Sequence, residues 1–194
     1  SAPAAPTILR RDKEIEQLHL CLGYPGVNMK DARLYPLSLL CSVFGGAMSS
    51  RLFQTIREEM GLAYSVYAYP TSYADTGIVV VYAGTSLKNG KTVLDLIDRE
   101  AKKLVDEGMT QTEFEQARQQ LKGSYVLGLE STSSRMNALG RRLLLLNDVQ
   151  TENDVIARID GITYDDVMDA TRYTLGDGRA VALVGKDAQK LEGF

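Results

Sequence analysis

Apolar and polar residues alternate in several parts of the chain, and this alternation predicts β-strands. Residues Ile15–Tyr24 place apolar side chains on one face and polar or small ones on the other. Tyr64–Tyr73 and Thr76–Thr85 are separated by Ala74–Asp75, which predicts an antiparallel hairpin with a tight turn. A short apolar run, Arg179–Gly185, predicts a last strand.

The segment between the first strand and the hairpin has helical spacing. The pattern over Asp31–Phe44 predicts a helix. The glycine pair at 45–46 is expected to form a backbone turn that ends this helix. One serine of the pair at 49–50 then caps a short helix that runs to about Met60. Gly61 follows, where a left-handed residue commonly ends a helix.

The hundred residues after the hairpin are predicted to be mostly helical. One apolar stripe runs from Leu94 to Val105 and ends at Gly108, and the small residues Ser131–Ser134 interrupt or bend the helical stretch before Met136–Leu146. Three pairs carry the spacing of helix N-caps: Thr110 with Glu113, Thr151 with Asp154, and Thr163 with Asp166.

This order of elements predicts an α+β fold, in which helices stack on one face of an antiparallel or mixed sheet. Residues 1–13 begin with an Ala/Pro-biased stretch, and we interpret them as a linker or a cloning remnant. Residues 14–194 are then expected to form one domain, and a chain that opens on a linker is expected to be a piece of something longer.

Composition narrows the classes of function. The 194 residues have a formal net charge of -3, which gives no reason to expect nucleic acid or an anionic membrane as a partner. No apolar run approaches the ~18 residues that cross a bilayer, and the first residues do not form a secretory signal, so we expect a cytoplasmic protein. Cys21 and Cys41 are too few for a disulfide framework and are interpreted as buried, reduced thiols.

The most specific part of the sequence is GGAMSSRLFQTIREEMGLAYSV, at residues 45–66. This string resembles the C-terminal half-domain of insulinase-type zinc metallopeptidases, the family of pitrilysin, the mitochondrial processing peptidase and bacterial processing-type peptidases. The flanking segments LHLCLGYPG, TGIVVVYAGTS and the closing VALVG fit the same order. The resemblance covers nearly the whole chain, from Ile15 to Gly185.

The resemblance implies that the chain is one of two half-domains that pair with each other. In such peptidases two homologous α+β half-domains enclose a chamber, and the N-terminal half-domain holds zinc on an inverted HxxEH motif with a further glutamate. The C-terminal half-domain holds no metal and contributes an arginine and a tyrosine that reach the bound peptide. In this sequence those residues are Arg57 and Tyr64.

The zinc motif itself is missing from this sequence. His19 is the only histidine, and Leu20–Gly23 follows it, so no HxxEH exists. A catalytic zinc needs three protein ligands and an open position, which one strand histidine cannot supply. No serine or cysteine nucleophile lies in a suggestive motif with a histidine. We therefore expect zinc only in the partner half and no peptide cleavage by this chain alone.

Each singled-out residue also has a structural interpretation. Arg57 at a helix end gains from the helix dipole, and Tyr64 could be a core or cross-strand aromatic residue. Tyr67, Tyr69 and Tyr73 could line a chamber for unfolded peptide or only stabilise a half-exposed sheet face. His19 is interpreted as a hydrogen-bonded strand histidine rather than a metal ligand. Nothing in the sequence decides whether Arg141 and Arg142 form a solvated helix face or contact a partner half-domain.

Three functional hypotheses follow. The leading one is the non-metal half of a bacterial zinc metalloendopeptidase, which closes the chamber and binds peptide through Arg57 and Tyr64. Its partner is an N-terminal HxxEH half-domain, on the same or a separate polypeptide. The second is a non-catalytic scaffold or partner subunit of the same fold, and the third is a generic α+β interaction module. In isolation the chain is also expected to form a homodimer, because a surface that meets a sister domain would be bare.

Overall fold

A single mixed sheet organises the protein, for which a computed structural model describes residues 7–191. The strands lie in the order β1-β5-β2-β4-β3, so β3 forms one edge of the sheet. β1 pairs in parallel with β5, and all other neighbours are antiparallel. The strands are β1 (Ile8–Asp12), β2 (Leu18–Pro25), β3 (Ala63–Ser72), β4 (Gly77–Thr85) and β5 (Ala180–Gly185).

Helices fill the connections between these strands. They are α1 (Leu34–Cys41), α2 (Gly90–Asp106), α3 (Gln111–Gly128), α4 (Thr132–Leu146), α5 (Glu152–Asp160) and α6 (Tyr164–Leu175). Two π-helical segments, Ser42–Gly46 and Phe53–Glu59, lie between α1 and β3, and short 3₁₀ turns occur at Leu87–Asn89 and Ala188–Lys190. This is the predicted α+β fold. None of the helices within residues 7–191 is long and apolar enough to cross a membrane.

The hydrophobic core lies between the helices and one face of the sheet. In β2 the residues Leu18, Leu20, Leu22 and Tyr24 are buried, while the residues between them are only partly buried. We call the opposite side of the sheet the open sheet face. It carries the side chains of His19, Cys21, Tyr67, Tyr69 and Tyr82, which remain partly or fully exposed. Cys21, Tyr82 and Tyr67 are direct neighbours across three strands.

The interpretation of residues 1–13 as a linker is wrong for the part that the structure describes. Ile8–Asp12 form β1, an edge strand that pairs with β5. Three of its five residues are charged, and such an edge strand is held by backbone pairing rather than by an apolar face, so it has no alternating pattern to recognise. Residues 1–6 lie outside the described part of the chain.

Most predicted helix ends are confirmed. Gly61 and Gly108 have φ angles of 59° and 79°, as the left-handed position at a helix end requires. Ser131 accepts a hydrogen bond from the backbone N–H of Ser134 and separates α3 from α4. The three predicted N-caps are confirmed, and each forms a capping box: Thr110 with Glu113, Thr151 with Asp154, and Thr163 with Asp166.

Two predictions between α1 and β3 are wrong. The glycine pair at 45–46 does not break α1, because the helix continues as a π-helical turn through Gly46. Neither serine of the pair at 49–50 supplies the predicted cap, because the hydroxyl of Ser50 donates to the carbonyl of Ala47 at 2.5 Å. The small size of Gly45 serves packing instead: a Cβ at this position would lie 2.8 Å from both the Cβ and the backbone N of Ala68 in β3.

A salt bridge connects Arg51, two residues before the second π-helical segment, to α3. The Nε and Nη2 atoms of Arg51 lie 2.7 and 2.8 Å from the two carboxylate oxygens of Glu113, and Nη2 also donates to the carbonyl of Gly108. Glu113 additionally accepts the backbone N–H of Thr110 in the capping box. These donors, with that of Arg51 first, lower the pKa of Glu113 from 4.5 to about 2.

We expect Glu113→Gln to destabilise the protein by about 2 kcal/mol at pH 7, since it replaces charge-assisted bonds by neutral ones. The carboxylate has a lower pKa in the folded state, so its contribution is present above pH 4.5 and is lost as the pH falls towards about 2. Urea unfolding of both proteins at pH 7, 4 and 2.5 checks this. The exposed Glu115, which pairs with Arg118 one turn away, supplies the control Glu115→Gln. A gap between wild type and Glu113→Gln that does not narrow at low pH would contradict the expectation.

We expect Gly45→Ala to cost about 2 kcal/mol of stability, because the new methyl group meets the backbone of β3 and one segment must shift. The matched control is Gly123→Ala in the middle of α3, where an added Cβ meets nothing within 4 Å. That change should stabilise the protein by up to about 1 kcal/mol, since alanine favours helix. Urea midpoints of the two variants are therefore expected to move in opposite directions. Equal midpoints would refute the close approach of Gly45 to β3.

Candidate functional site

Arg57 and Tyr64 come together at a corner where a helix turns into β3. Arg57 lies in the last turn of the π-helical segment Phe53–Glu59. The left-handed Gly61 then reverses the chain, and the backbone N–H of Leu62 donates to the carbonyl of Ile56 at 2.9 Å. This closed helix end fixes the seven-residue separation of Arg57 and Tyr64 in space.

A β-bulge exposes Tyr64. The register of β3 with β4 shifts between Ala63 and Ser65, so both Ala63 and Val66 are buried although three positions separate them. Tyr64 is the extra residue, and it is 75% exposed. Without the bulge, the alternation that buries Val66 and Ala68 would place Tyr64 on the core side of the strand. The bulge therefore places the side chain of Tyr64 at the protein surface.

The guanidinium of Arg57 lies over two aromatic rings. Its guanidinium carbon is 4.6 Å from the centroid of the Tyr64 ring and 4.7 Å from that of Phe53. Phe53 precedes Arg57 by four positions and is therefore close to the same side of the helix. Such cation–π contacts leave the N–H donors of the guanidinium free to bond with other groups.

The N–H donors of Arg57 have no close hydrogen-bond acceptor among the described residues. The nearest carboxylate is that of the neighbouring Glu58, whose Oε1 lies 3.7 Å from Nε of Arg57, beyond hydrogen-bond distance. Arg57 forms no side-chain hydrogen bond to another described residue, and its side chain is 35% exposed. By contrast, Nε and Nη2 of the nearby Arg51 donate to Glu113 and Gly108. Arg57 is thus positioned by stacking and has donors available for another molecule.

An open groove of about 290 Å³ lies beside this pair. It is lined by the segment Gly45–Met48, by the start of β3 from Tyr64 to Tyr67, and by Phe53 and Arg57. The side-chain amide of Gln54 donates to the carbonyl of Met48 at 2.7 Å and supports the turn. Because β3 is an edge strand, the groove opens at the rim of the sheet.

The open sheet face continues from this groove with aromatic side chains. Tyr67 stacks on Tyr82 with a centroid separation of 4.9 Å, and the hydroxyl of Tyr82 lies 2.7 Å from Nδ1 of His19. The histidine is therefore hydrogen-bonded within the sheet, as its structural interpretation predicts. Tyr69 and Tyr73 are also exposed, so the tyrosines of the hairpin are largely at the surface.

The described residues do not offer a metal centre. Within residues 7–191, no three His, Cys, Asp or Glu side chains are grouped closely enough to hold an ion. Burial raises the pKa of the Cys21 thiol, and full burial raises that of Cys41 to about 12, so both thiols stay protonated at neutral pH. The side chains described here therefore do not form a zinc site. The resemblance assigns zinc to the partner half and not to this one.

Sequence reasoning missed two features of the site. Phe53 was part of the recognised string, but its spacing of four residues from Arg57 was not interpreted as a stacking contact. The β-bulge has no signal in the alternation, because Ala63 and Tyr64 both suit a regular strand. The exposed position of Tyr64 is visible only in the register of β3 with β4.

Comparison with known proteins identifies the family. The sequence profile described as the peptidase M16 inactive domain matches residues 2–121, which is more than half of the chain. This range contains the whole corner from Phe53 to Tyr64. The fold agrees with it: a solved peptidase M16 inactive domain from Pseudomonas fluorescens superposes with a TM-score of 0.84 at 22% identity, over 93% of this chain and 43% of that one.

Two relatives of known sequence are considerably longer than this chain. It is 40% identical over 176 residues to the uncharacterized zinc protease YmxG of Bacillus subtilis, covering 91% of this chain and 43% of that protein. It is also 40% identical over 179 residues to the uncharacterized zinc protease SCO5738 of Streptomyces coelicolor, covering 91% of this chain and 39% of that protein. The chain thus spans about two fifths of these relatives, and it belongs to the peptidase M16 family, as a representative of its inactive domain.

Proposed function

We propose that this chain is the non-metal half of a zinc metalloendopeptidase and that it binds the peptide substrate through Arg57 and Tyr64. The observation that carries the proposal is the guanidinium of Arg57, which lies over two aromatic rings and has unused donors beside an exposed tyrosine and a groove. The zinc protease names of relatives more than twice as long support it. Residues 14–194, together with β1, would form the C-terminal half-domain.

Arg57 would hold the substrate in place. Its edge donors suit a peptide carbonyl or a carboxylate, and a charge-assisted hydrogen bond of this kind contributes about 1.5–3 kcal/mol. The cation–π contacts with Phe53 and Tyr64 would restrict the guanidinium before substrate arrives, so less side-chain entropy would be lost on binding. A lysine would supply the charge but neither the planar fork nor the ring contacts.

Tyr64 would act on the reacting peptide bond. Its hydroxyl is at the surface of the same corner, and a phenolic O–H can donate to an oxygen that gains negative charge during attack on the carbonyl. This role requires the chain to lie opposite a group that activates water. That group would be the zinc held by an N-terminal HxxEH half-domain, in the same polypeptide or in a partner chain.

The remaining surface is consistent with a chamber wall. When the two halves close, the open sheet face would contact unfolded peptide through Tyr67 and Tyr69, whose rings bind many side-chain types without a sequence requirement. A closed chamber would admit small or unfolded peptides only. In this arrangement the present chain binds substrate and completes the enclosure, while hydrolysis depends on the other half.

The roles of Arg57 and Tyr64 can be tested in the assembled protein that contains both halves. We expect Tyr64→Phe to lower kcat by about 10²-fold, since it removes one donor to the developing oxyanion. Arg57→Lys should weaken kcat/KM by about 10-fold or more, through loss of the planar donors. The measurement is hydrolysis of a quenched fluorescent peptide under steady-state conditions.

The control uses the second arginine–tyrosine stack of the chain. The guanidinium carbon of Arg33 lies 3.9 Å from the ring centroid of Tyr173, on different elements from the site. Tyr173→Phe should leave both kinetic constants unchanged. If Arg57→Ala and Tyr64→Phe also left them unchanged in an active protein, the scaffold hypothesis would replace this proposal.

Phe53 is expected to act as a positioning residue for Arg57. Phe53→Leu keeps an apolar side chain but removes one ring of the stack, so it should raise KM several-fold and leave kcat nearly unchanged. Phe53→Tyr restores a ring and should restore KM. A general folding defect would instead lower the melting temperature, and a Phe53→Tyr variant as impaired as Phe53→Leu would exclude the stacking role.

A further inference from the structure

A cavity separates α4 from its neighbouring helices. It has a volume of about 270 Å³ and lies among residues of α1, α3, α4 and α5. Its lining is mostly apolar and includes Tyr35, Leu129, Leu139 and Val155. Because α4 has no buried residue, this helix lacks the packed apolar face on which most helices in proteins depend.

The polar part of the lining is rich in positive charge. Three arginines of α4 line the cavity: Arg135, Arg141 and Arg142. The first forms an ion pair with Glu152 and the last with Asp148, while Nη2 of Arg141 donates to the carbonyl of Ser72 at 3.1 Å. The carboxylates near the cavity are therefore already paired, and one of the three arginines has a carbonyl instead of a carboxylate as its partner.

Arg142 brings an unused donor to the cavity. Its side chain is 20% exposed, and its buried Nε has no hydrogen-bond partner among the described residues. Burial raises the pKa of both Tyr35 and Tyr125, and the positive charge of Arg142 opposes this in each case. The guanidinium therefore lies close to both tyrosines that line the cavity. Since a buried donor without an acceptor is unfavourable, the site favours a ligand that supplies an acceptor.

We propose that this cavity binds a medium-chain fatty acid. The mostly apolar lining would hold the acyl chain, since apolar cavities stay dry and bind apolar molecules. The carboxylate would accept a charge-assisted hydrogen bond from Nε of Arg142, with the positive charge of Arg141 nearby. Most ligand sites measure ~300–1,000 Å³, so this volume of about 270 Å³ suits a medium chain better than a long one.

A peptide segment fits the cavity less well than an acyl chain. Each peptide residue brings a backbone N–H that needs an acceptor when it is buried. The side-chain acceptors of the lining are already used: Oε1 of Gln150 accepts from the hydroxyl of Tyr35 at 3.4 Å, and Glu152 pairs with Arg135. A bare anion such as phosphate would leave the apolar lining without a contact. An acyl carboxylate matches both the lining and the unused donor.

Titration calorimetry with the 194-residue chain tests the class of ligand. Decanoate should bind saturably, and at about 100 times its Kd it should raise the melting temperature by about 5 °C. Decanol has the same chain without the charge and should bind at least about 10-fold more weakly. Decyltrimethylammonium carries the opposite charge and should not bind. Absence of saturable decanoate binding, or equal binding of the three amphiphiles, overturns the proposal.

Arg142→Gln locates the carboxylate. It should weaken decanoate binding about 10-fold and leave decanol binding unchanged, because only the acid uses the charge. The matched control is Arg118→Gln. Arg118 also pairs with a carboxylate and has a side chain that is 24% exposed, but it does not line the cavity. This control should bind decanoate like the wild type. Decanoate binding that Arg142→Gln leaves unchanged overturns the proposal.

Ala138→Phe locates the acyl chain. Ala138 lines the cavity from α4, so the added ring should occupy the space of the chain and abolish binding of decanoate and decanol alike. Asn137→Phe adds the same ring one position away, at a residue outside the lining, and should leave binding intact. Binding that survives Ala138→Phe overturns the proposal. This variant also decides the question if Arg142→Gln fails to fold.

Two further ligands and an exchange measurement identify the occupant. Naphthoate and a peptide with a C-terminal leucine also carry a carboxylate on an apolar body, and both should bind more weakly than decanoate. If either binds more tightly and Ala138→Phe abolishes that binding, the occupant is an aromatic acid or a peptide end and the proposal is overturned. Decanoate should also slow hydrogen–deuterium exchange of residues 132–146 about 10-fold, because it gives α4 an apolar contact. Unchanged exchange in this helix overturns the proposal.

Discussion

The β-bulge at the start of β3 is the constraint on which the candidate site depends. A sheet that buries one face fixes the side of every residue by its register, because a shift of one position moves each side chain to the other face. Ala63 and Val66 both point into the core, and this is possible only if one residue between them is unpaired. Tyr64 is that residue, and its displacement from the core places its ring against Arg57.

The arginine reaches that ring because several independent contacts support the same corner. Gly61 turns the chain from the π-helical segment into β3, Arg51 ties the beginning of that segment to α3 through Glu113, and Gly45 lets the preceding turn lie against Ala68. None of these residues is proposed to contact substrate. They remove freedom from the backbone around Arg57, so that two ring contacts are sufficient to orient its guanidinium. The geometry is therefore fixed locally, before any partner or peptide binds.

The sequence predicts the elements whose residues repeat with the period of a strand or helix, or whose ends need a particular residue type. The alternation in β2 to β5, the helix-ending Gly61 and the three capping boxes depend on near neighbours and were predictable, and the recognised string placed Arg57 and Tyr64. β1 was not predictable, because its pairing with β5 joins residues more than 170 positions apart and leaves no apolar pattern. The π-helical turns and the bulge were missed for the same reason: each is set by packing against distant segments, such as Gly45 against Ala68.

The corner at Arg57 and the helix α4 relate differently to the hydrophobic core. Arg57 contacts two aromatic rings beside a closed helix end, and all of these belong to its own chain. α4 has no buried residue, and ion pairs connect it to the segment that follows it. The chain therefore stabilises the corner with its own contacts, whereas α4 lacks the packed apolar face on which most helices in proteins depend.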